Sequence, residues 1–119
     1  MFAVGLLLAA AAVDPIPGTW EGTSTCQVKP SPCHDEHVIY RVTQTAPDRY
    51  KLDAFKVVEG KELFMGTIDS TFDPARGELQ GTFPANGAHV TLILIADHLS
   101  GRLMLADGTL FRLIKVTKR

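Results

Sequence analysis

Residues 18–26 read Gly18-Thr19-Trp20-Glu21-Gly22-Thr23-Ser24-Thr25-Cys26. This segment contains the single tryptophan of the chain and the first of its two cysteines. Trp20, Ser24 and Cys26 share one side of an extended chain here, and Glu21 lies among threonines on the other side. A period of two is typical of a strand with one buried face. The pattern therefore predicts a half-buried β-strand.

The chain that follows repeats this pattern in short segments separated by turn residues. Asp73-Pro74, Asn86-Gly87 and Asp107-Gly108 are typical turn sequences. No segment after residue 18 has an apolar period of 3.6 that is long enough to predict a helix. The predicted strands cover residues 19–28, 37–45, 49–58, 62–72, 78–84, 89–96, 99–105 and 110–117.

The short connections decide how these strands assemble. Successive hairpins without a long crossover form a meander. Closing eight such strands into a barrel removes the exposed edges, and the first strand then pairs with the last. The sequence therefore predicts an all-β fold, a small eight-stranded antiparallel up-and-down barrel that forms one domain over residues 14–119.

Length and charge exclude some classes of partner. The chain has 119 residues, of which 45% are hydrophobic and 21% charged, with a net charge of −1. One domain of this length can build a core. Binding to nucleic acid needs a concentration of basic residues, and the charge balance shows none. We therefore predict no nucleic-acid partner.

An apolar run occupies residues 1–13, and small residues at Ala10 and Ala12 suit signal cleavage. The run is too short to span a bilayer, which takes about 20 residues. No Lys or Arg precedes it, and the prolines after Asp14 end it abruptly. We predict a signal peptide over residues 1–13 and an exported, periplasmic or secreted protein that does not span the membrane. The alternative is a buried helix or strand of the mature fold.

Cys26 and Cys33 form an even count in a chain with an export signal, which favours a disulfide between them. The prolines between them stiffen the loop. Because the closed loop is small, the bridge should contribute at most roughly 3 kcal/mol.

The segment after Cys33 is the densest polar cluster of the chain, with His34, Asp35, Glu36 and His37. These are ligand types for zinc or copper. However, consecutive residues of an extended segment point to opposite sides, and the cysteine is used in the disulfide. A c-type haem would need C-x-x-C-H. We interpret the cluster as a solvated turn and predict neither a metal nor a cofactor.

Motifs for catalysis are missing from the sequence. It contains no G-x-S-x-G, no H-E-x-x-H and no phosphate-binding glycine loop. Asp69, His89, Asp97 and His98 lack the spacing of a known catalytic set. We therefore predict no catalytic residues and a protein that is not an enzyme.

Gly18-Thr19-Trp20 at the start of strand one resembles the G-x-W signature of lipocalins and related calycin barrels, which include avidin-like and fatty-acid-binding proteins. The resemblance implies that Trp20 plugs one barrel end and that an arginine of the last strand, Arg112, packs across it. The final hairpin, residues 105–112, is similar to that of small exported bacterial lipocalin-like proteins. Full lipocalins are longer and carry a helix beside the barrel, which this sequence does not predict.

The resemblance implies a non-enzymatic binding module for a small apolar ligand held in the barrel. An eight-stranded barrel has room for side chains or for one small ligand, so aromatic side chains could also fill it. The candidates for lining a ligand site are Tyr40, Leu52, Phe64, Ile68, Phe83, Leu92 and Leu103.

A second apolar set occupies the other faces of strands six to eight. If these residues face outward, they form a patch that favours self-association or a protein partner. The alternative function is therefore a protein-binding module, such as a periplasmic protease inhibitor. The set comprises Ile93, Ile95, Met104, Phe111 and Leu113.

Overall fold

The computed structural model describes residues 14–28, 32–84 and 86–119. Eight antiparallel strands form a closed barrel in sequence order, which confirms the predicted fold class. The predicted signal peptide, residues 1–13, lies outside the described residues. No helix in the described part of the chain is long and apolar enough to cross a bilayer. The strands are β1 (Gly18–Cys26), β2 (Glu36–Ala46), β3 (Arg49–Val58), β4 (Lys61–Asp73), β5 (Glu78–Thr82), β6 (His89–Ile95), β7 (His98–Met104) and β8 (Leu110–Lys118).

The barrel closes between the first and the last strand, as the meander predicted. In this pairing Trp20 lies opposite Lys118, and Cys26 lies opposite Arg112. Because the strands run up and down, the connections gather at two ends. We call the end at which β1 begins and β8 ends the Trp20 end. We call the other the pocket end, where the connections 27–35, 59–60, 83–88 and 105–109 meet.

Inward-facing side chains fill the barrel. Trp20, Leu52, Ile68 and Leu92 are each at most 1% exposed. They belong to one hydrophobic cluster that draws on all eight strands and on Ile16. Gly101 allows close packing in this sheet, since a Cβ there would lie 1.8 Å from the backbone oxygen of Thr91. The alternation read from the sequence is therefore the alternation of the folded strands.

The wall of the barrel is uneven because β4 is much longer than β5. β4 has 13 residues and β5 has five. Only Asp69–Asp73 of β4 pairs with β5, whereas β3 pairs with β4 from Lys61 onward. β5 ends at Thr82, two residues before the predicted end. The loop that follows is closed by hydrogen bonds from the N–H of Phe83 to the carbonyl oxygen of Ala88 at 2.8 Å and from the N–H of Gly87 to the carbonyl oxygen of Phe83 at 3.0 Å.

Candidate binding site

The Trp20 end is sealed by the segment that precedes β1. Trp20 is 1% exposed, and its indole Nε1 donates to the carbonyl oxygen of Ile16 at 2.9 Å. Ile16 is equally buried, and Asp14 accepts a hydrogen bond from the hydroxyl of Tyr50. Tryptophan suits this position because it combines a large apolar ring with a donor that finds a buried acceptor. Trp20 and Ile16 thus fill this end of the barrel.

The cation beside Trp20 is Lys118. Its Nζ lies 5.6 Å from the centre of the indole ring and donates to the carbonyl oxygen of Pro15 at 2.6 Å. The structure does not bring Arg112 to Trp20, because the β1–β8 register places Arg112 opposite Cys26. Six residues of β1 separate the two positions, which is about 20 Å along a strand.

Arg112 instead holds the pocket end together. It is 8% exposed, and its Nη1 donates to the carbonyl oxygens of His34 at 2.9 Å and Ser24 at 3.2 Å. The carboxylate of Glu36 lies 3.6 Å from the same nitrogen. A buried guanidinium needs such partners, since an unpaired buried charge is costly. Arg112 therefore anchors the β1–β2 loop to β8.

The disulfide predicted from the cysteine spacing is present. Cys26 and Cys33 are bonded, with their Cα atoms 5.9 Å apart. Asp35 continues this local structure, because its carboxylate accepts the backbone N–H of Cys26 at 2.9 Å. The loop is thus tied at its cysteines, at Asp35 and at Arg112.

The polar cluster after Cys33 points in several directions. The ring of His37 contacts Glu21 on the outer surface, and His34 is exposed at its side chain while its carbonyl oxygen faces Arg112. Glu36 lies on the inner side, at Arg112. The described residues include no group of three or more His, Cys, Asp or Glu that could hold a metal ion. Side-chain alternation along the chain accounts for this separation.

Tyr40 lies next to this ion pair in the core. Burial raises the pKa of Tyr40, and the negative charge of Glu36 raises it further, while Arg112 acts in the opposite direction. The phenol is therefore neutral at physiological pH. The charges of Arg112 and Glu36, which lie together on the inner face near the pocket end, neutralise each other.

An apolar pocket of about 210 Å³ opens at the pocket end. Two predicted lining residues, Phe83 and Leu103, form part of its wall. Both side chains are half-buried and pack against the core cluster. Among the described residues, its lining is Met65, Phe83, Asn86, Ala88, Leu103, Leu105 and Phe111.

The other predicted lining residues lie elsewhere. Tyr40, Leu52, Ile68 and Leu92 are buried in the packed core. Phe64 is 60% exposed, and its ring lies 5.4 Å from that of Phe55, outside the core cluster. A register shift between Ala54 and Phe55 explains this, because it turns the start of β4 relative to the rest of the strand.

The outward-facing apolar residues of β6 to β8 do not form a continuous patch. Ile95 is 63% and Leu113 44% exposed. The pairing places Arg102 opposite Leu113, and Ser100 opposite Ile93. Polar side chains thus separate the apolar ones, and self-association through this face stays a prediction.

A wider groove of about 620 Å³ crosses the outer surface of β4, β5 and β6. Three carboxylates face it, those of Asp69, Asp73 and Glu78, and its described lining includes no lysine or arginine. Asp73 is paired with Arg76 at 3.7 Å, and the carboxylates of Asp69 and Glu78 leave the groove acidic. Its lining is Asp69, Thr71, Phe72, Asp73, Glu78, Gln80, Gly81, Thr82, Pro84, His89, Val90 and Thr91.

Sequence reasoning missed Lys118 at the indole and Met65 in the pocket wall. For Lys118 a signal existed, since it follows Val116 with period two on the inward side of β8. For Met65 none did, because the irregular pairing of β3 with β4 that frees this residue has no marker in the sequence.

No protein-family model matches the chain, and no curated protein matches it in a sequence comparison. The structure is compatible with a lipocalin-like fold in being a small eight-stranded antiparallel barrel. Any functional conclusion therefore depends on the geometry of the pocket end.

Proposed function

We propose that this protein is an exported, non-catalytic binding module that holds an apolar group of its ligand at the pocket end. One observation carries the proposal: most of the large exposed apolar side chains lie at the same end of the barrel as the apolar pocket. Of the seven large apolar side chains that are exposed among the described residues, five lie at this end. These five are Val58, Leu63, Phe64, Met65 and Leu110.

The carboxylates of the β1–β2 connection at this end are engaged in structural contacts, which supports a binding role rather than a catalytic one. Glu36 is paired with Arg112, and the Asp35 carboxylate accepts the N–H of Cys26. These side chains are engaged in holding the loop. Export is supported by the disulfide, because such bonds persist in oxidising compartments.

The size of the pocket limits what enters it. Sites for drug-sized molecules enclose roughly 300–1,000 Å³. A pocket of about 210 Å³ above a filled core suits one small apolar group, such as a short alkyl chain or a ring. A ligand that lies deep in the barrel would have to displace core side chains such as Leu52 and Leu92.

A protein-binding module is the second candidate. Phe64 and Leu63 are exposed outside the pocket, where a small molecule in the pocket would not cover them. Exposed apolar clusters of this kind often mark surfaces that bind other proteins. Under this candidate, the apolar group belongs to a larger partner.

Titration with the neutral fluorophore N-phenyl-1-naphthylamine tests the proposal. Met65→Glu places a charge in the pocket wall, and Ile95→Glu places one on an exposed apolar residue at the other end. We expect Met65→Glu to weaken the binding of the probe by about tenfold or more, since the bound probe would remove the new carboxylate from water without giving it a partner, and Ile95→Glu to leave it unchanged. Equal affinities of wild type and Met65→Glu would refute the pocket as the binding site.

A further inference from the structure

We propose that the apolar group belongs to an extended, basic polypeptide segment, which adds as a strand to the free edge of β4 beside the pocket. This inference rests on the proposed function and names the partner of that same site.

The free edge follows from the unequal lengths of β4 and β5. Residues Lys61 to Ile68 of β4 precede the part that pairs with β5. The first five of these residues, Lys61 to Met65, are all exposed. Further along, the ring of Phe83 packs on one face of β4 at Gly66, lying 3.6 Å from the position of a Cβ on that glycine. The accessible edge is therefore Lys61 to Met65.

The β3–β4 turn determines which backbone groups face this edge. Glu59 and Gly60 form a two-residue turn with φ of 52° and 78°, as in a type I′ hairpin. The pair that closes such a hairpin, Val58 with Lys61, is hydrogen-bonded. Non-hydrogen-bonded and hydrogen-bonded pairs then alternate along the ladder, so that Glu62 and Phe64 belong to non-hydrogen-bonded pairs. Glu62 and Phe64 therefore direct their N–H and C=O groups away from β3 and toward the free edge.

Unpaired backbone N–H and C=O groups along an edge can form hydrogen bonds with an added β-strand. An extended segment that adds to a sheet edge satisfies them with its own N–H and C=O groups, and its alternate side chains enter neighbouring pockets. Met65 belongs both to the edge and to the pocket wall, so the two features adjoin. A pocket of about 210 Å³ accommodates one apolar side chain of such a segment.

Charge complementarity indicates the composition of the segment. The added strand takes the position that β5 would occupy if it continued beyond Thr82, and Thr82 also lines the acidic groove. Asp69, which pairs with Thr82, contributes one of the carboxylates of the groove. Lysine or arginine at the end of the segment that lies next to Thr82 would approach this negative surface.

Amide hydrogen exchange of the wild-type protein provides the direct test. The probe is a soluble peptide of sequence Lys-Thr-Val-Phe-Val-Thr-Lys with blocked ends. At saturation, we expect the exchange of the Glu62 and Phe64 amides to slow by about tenfold or more. The Leu63 amide is an internal control, since its hydrogen bond to β3 exists without peptide. Unchanged exchange at Glu62 and Phe64 would overturn the proposal.

Two variants at one position separate the backbone from the side chain. Phe64→Ala and Phe64→Pro both remove the ring, but only proline removes the N–H that faces the edge. We expect Phe64→Pro to bind the peptide about tenfold or more weakly than Phe64→Ala. If circular dichroism shows that Phe64→Pro is unfolded, two methylated peptides replace this variant. Methylation of the backbone nitrogens that face β4 should abolish binding, and methylation of the alternate nitrogens, which face away from β4, should not. Equal binding in these comparisons contradicts strand addition.

The peptide experiment and the probe titration can refute strand addition and the proposed function separately. If N-phenyl-1-naphthylamine binds in a Met65-dependent way but the peptide does not bind, the pocket stands and strand addition is wrong. If neither binds, both are wrong. If sedimentation shows a dimer in which the Glu62 and Phe64 amides are protected from exchange without peptide, the edge pairs with a second copy of the chain, and the peptide proposal is wrong.

Peptides with glutamate in place of lysine test the charge of the segment. They should bind more weakly, and equal binding would refute the basic character of the segment.

Discussion

At the scale of single residues, Trp20 and Arg112 share the inner face of the barrel and have different tasks. Trp20 seals one end with Ile16, while Arg112 ties the loop of the other end to β8. Both are large side chains whose polar groups find buried partners. Each can therefore be tested by a single substitution.

Replacement of Trp20 by alanine should reduce the free energy of unfolding by about 3–5 kcal/mol, because it removes a buried aromatic ring and leaves a cavity. Urea unfolding followed by circular dichroism measures this, since the single tryptophan is lost as a fluorophore. Ile95→Ala, at a residue that is 63% exposed, is the control and should change stability little. A small effect of Trp20→Ala would mean that the ring is not buried in solution.

Arg112→Leu should reduce the free energy of unfolding by about 1–3 kcal/mol, because the carbonyl oxygens of Ser24 and His34 lose their donor. Arg102→Leu, at an exposed arginine of the neighbouring strand, is the matched control. Thermal unfolding compares the two variants. Equal effects would contradict an anchoring role for Arg112, as would unchanged amide exchange in the β1–β2 loop.

At the scale of elements, the β1–β2 connection is the most strongly tied loop of the pocket end. Three interactions hold it: the disulfide, the hydrogen bond from Cys26 N–H to Asp35, and the bonds from Arg112. The opposite wall of that end contains the shortest strand, β5. The pocket therefore lies between a fixed loop and an incomplete part of the sheet.

The Cys26→Ser, Cys33→Ser double variant should be destabilised by roughly 2–3 kcal/mol, the entropic effect expected for a loop whose ends are seven residues apart. Chemical unfolding of the variant and of the oxidised wild type measures the difference. Under reducing conditions the two proteins should have the same stability. A wild type that is insensitive to reduction would contradict this expectation.

At the scale of the whole molecule, the two tyrosines make the fold sensitive to alkali. Burial raises the pKa of Tyr40 and of Tyr50, with a further increase from Glu36 for the former and from the Asp14 hydrogen bond for the latter. In the unfolded chain a tyrosine ionises near pH 10. Stability from these groups is therefore complete below about pH 10 and is lost as the pH rises above it.

We expect the midpoint of urea unfolding to decrease above about pH 10 and tyrosine ionisation, measured at 295 nm, to coincide with unfolding. The chain has only these two tyrosines, so the absorbance change reports on them alone. Tyr40→Phe should make the alkaline decrease shallower. Ionisation of both phenols while circular dichroism stays native would contradict the burial argument.

Local sequence signals predicted most elements of the fold. Alternation in residues 18–26 and turn sequences such as Asn86-Gly87 located eight strands, because a strand buries one face and turns need particular residues. Some boundaries shifted, as at Phe83, where the loop between β5 and β6 begins two residues earlier than the sequence predicted. Of the candidate lining residues, Phe83 and Leu103 are in the pocket wall, whereas Phe64 lies outside because of the irregular β3–β4 pairing.

The amino-acid sequence by itself determined the strand order, the antiparallel meander and the local disulfide, since each depends on residues close together in the chain. Tertiary structure alone decided that Lys118 contacts Trp20, that Arg112 holds the β1–β2 loop and that β4 extends beyond β5. The physical reason is that register between distant strands is fixed by packing and by backbone hydrogen bonds across the whole barrel. Local periodicity indicates which face a residue occupies but not the residue it meets there.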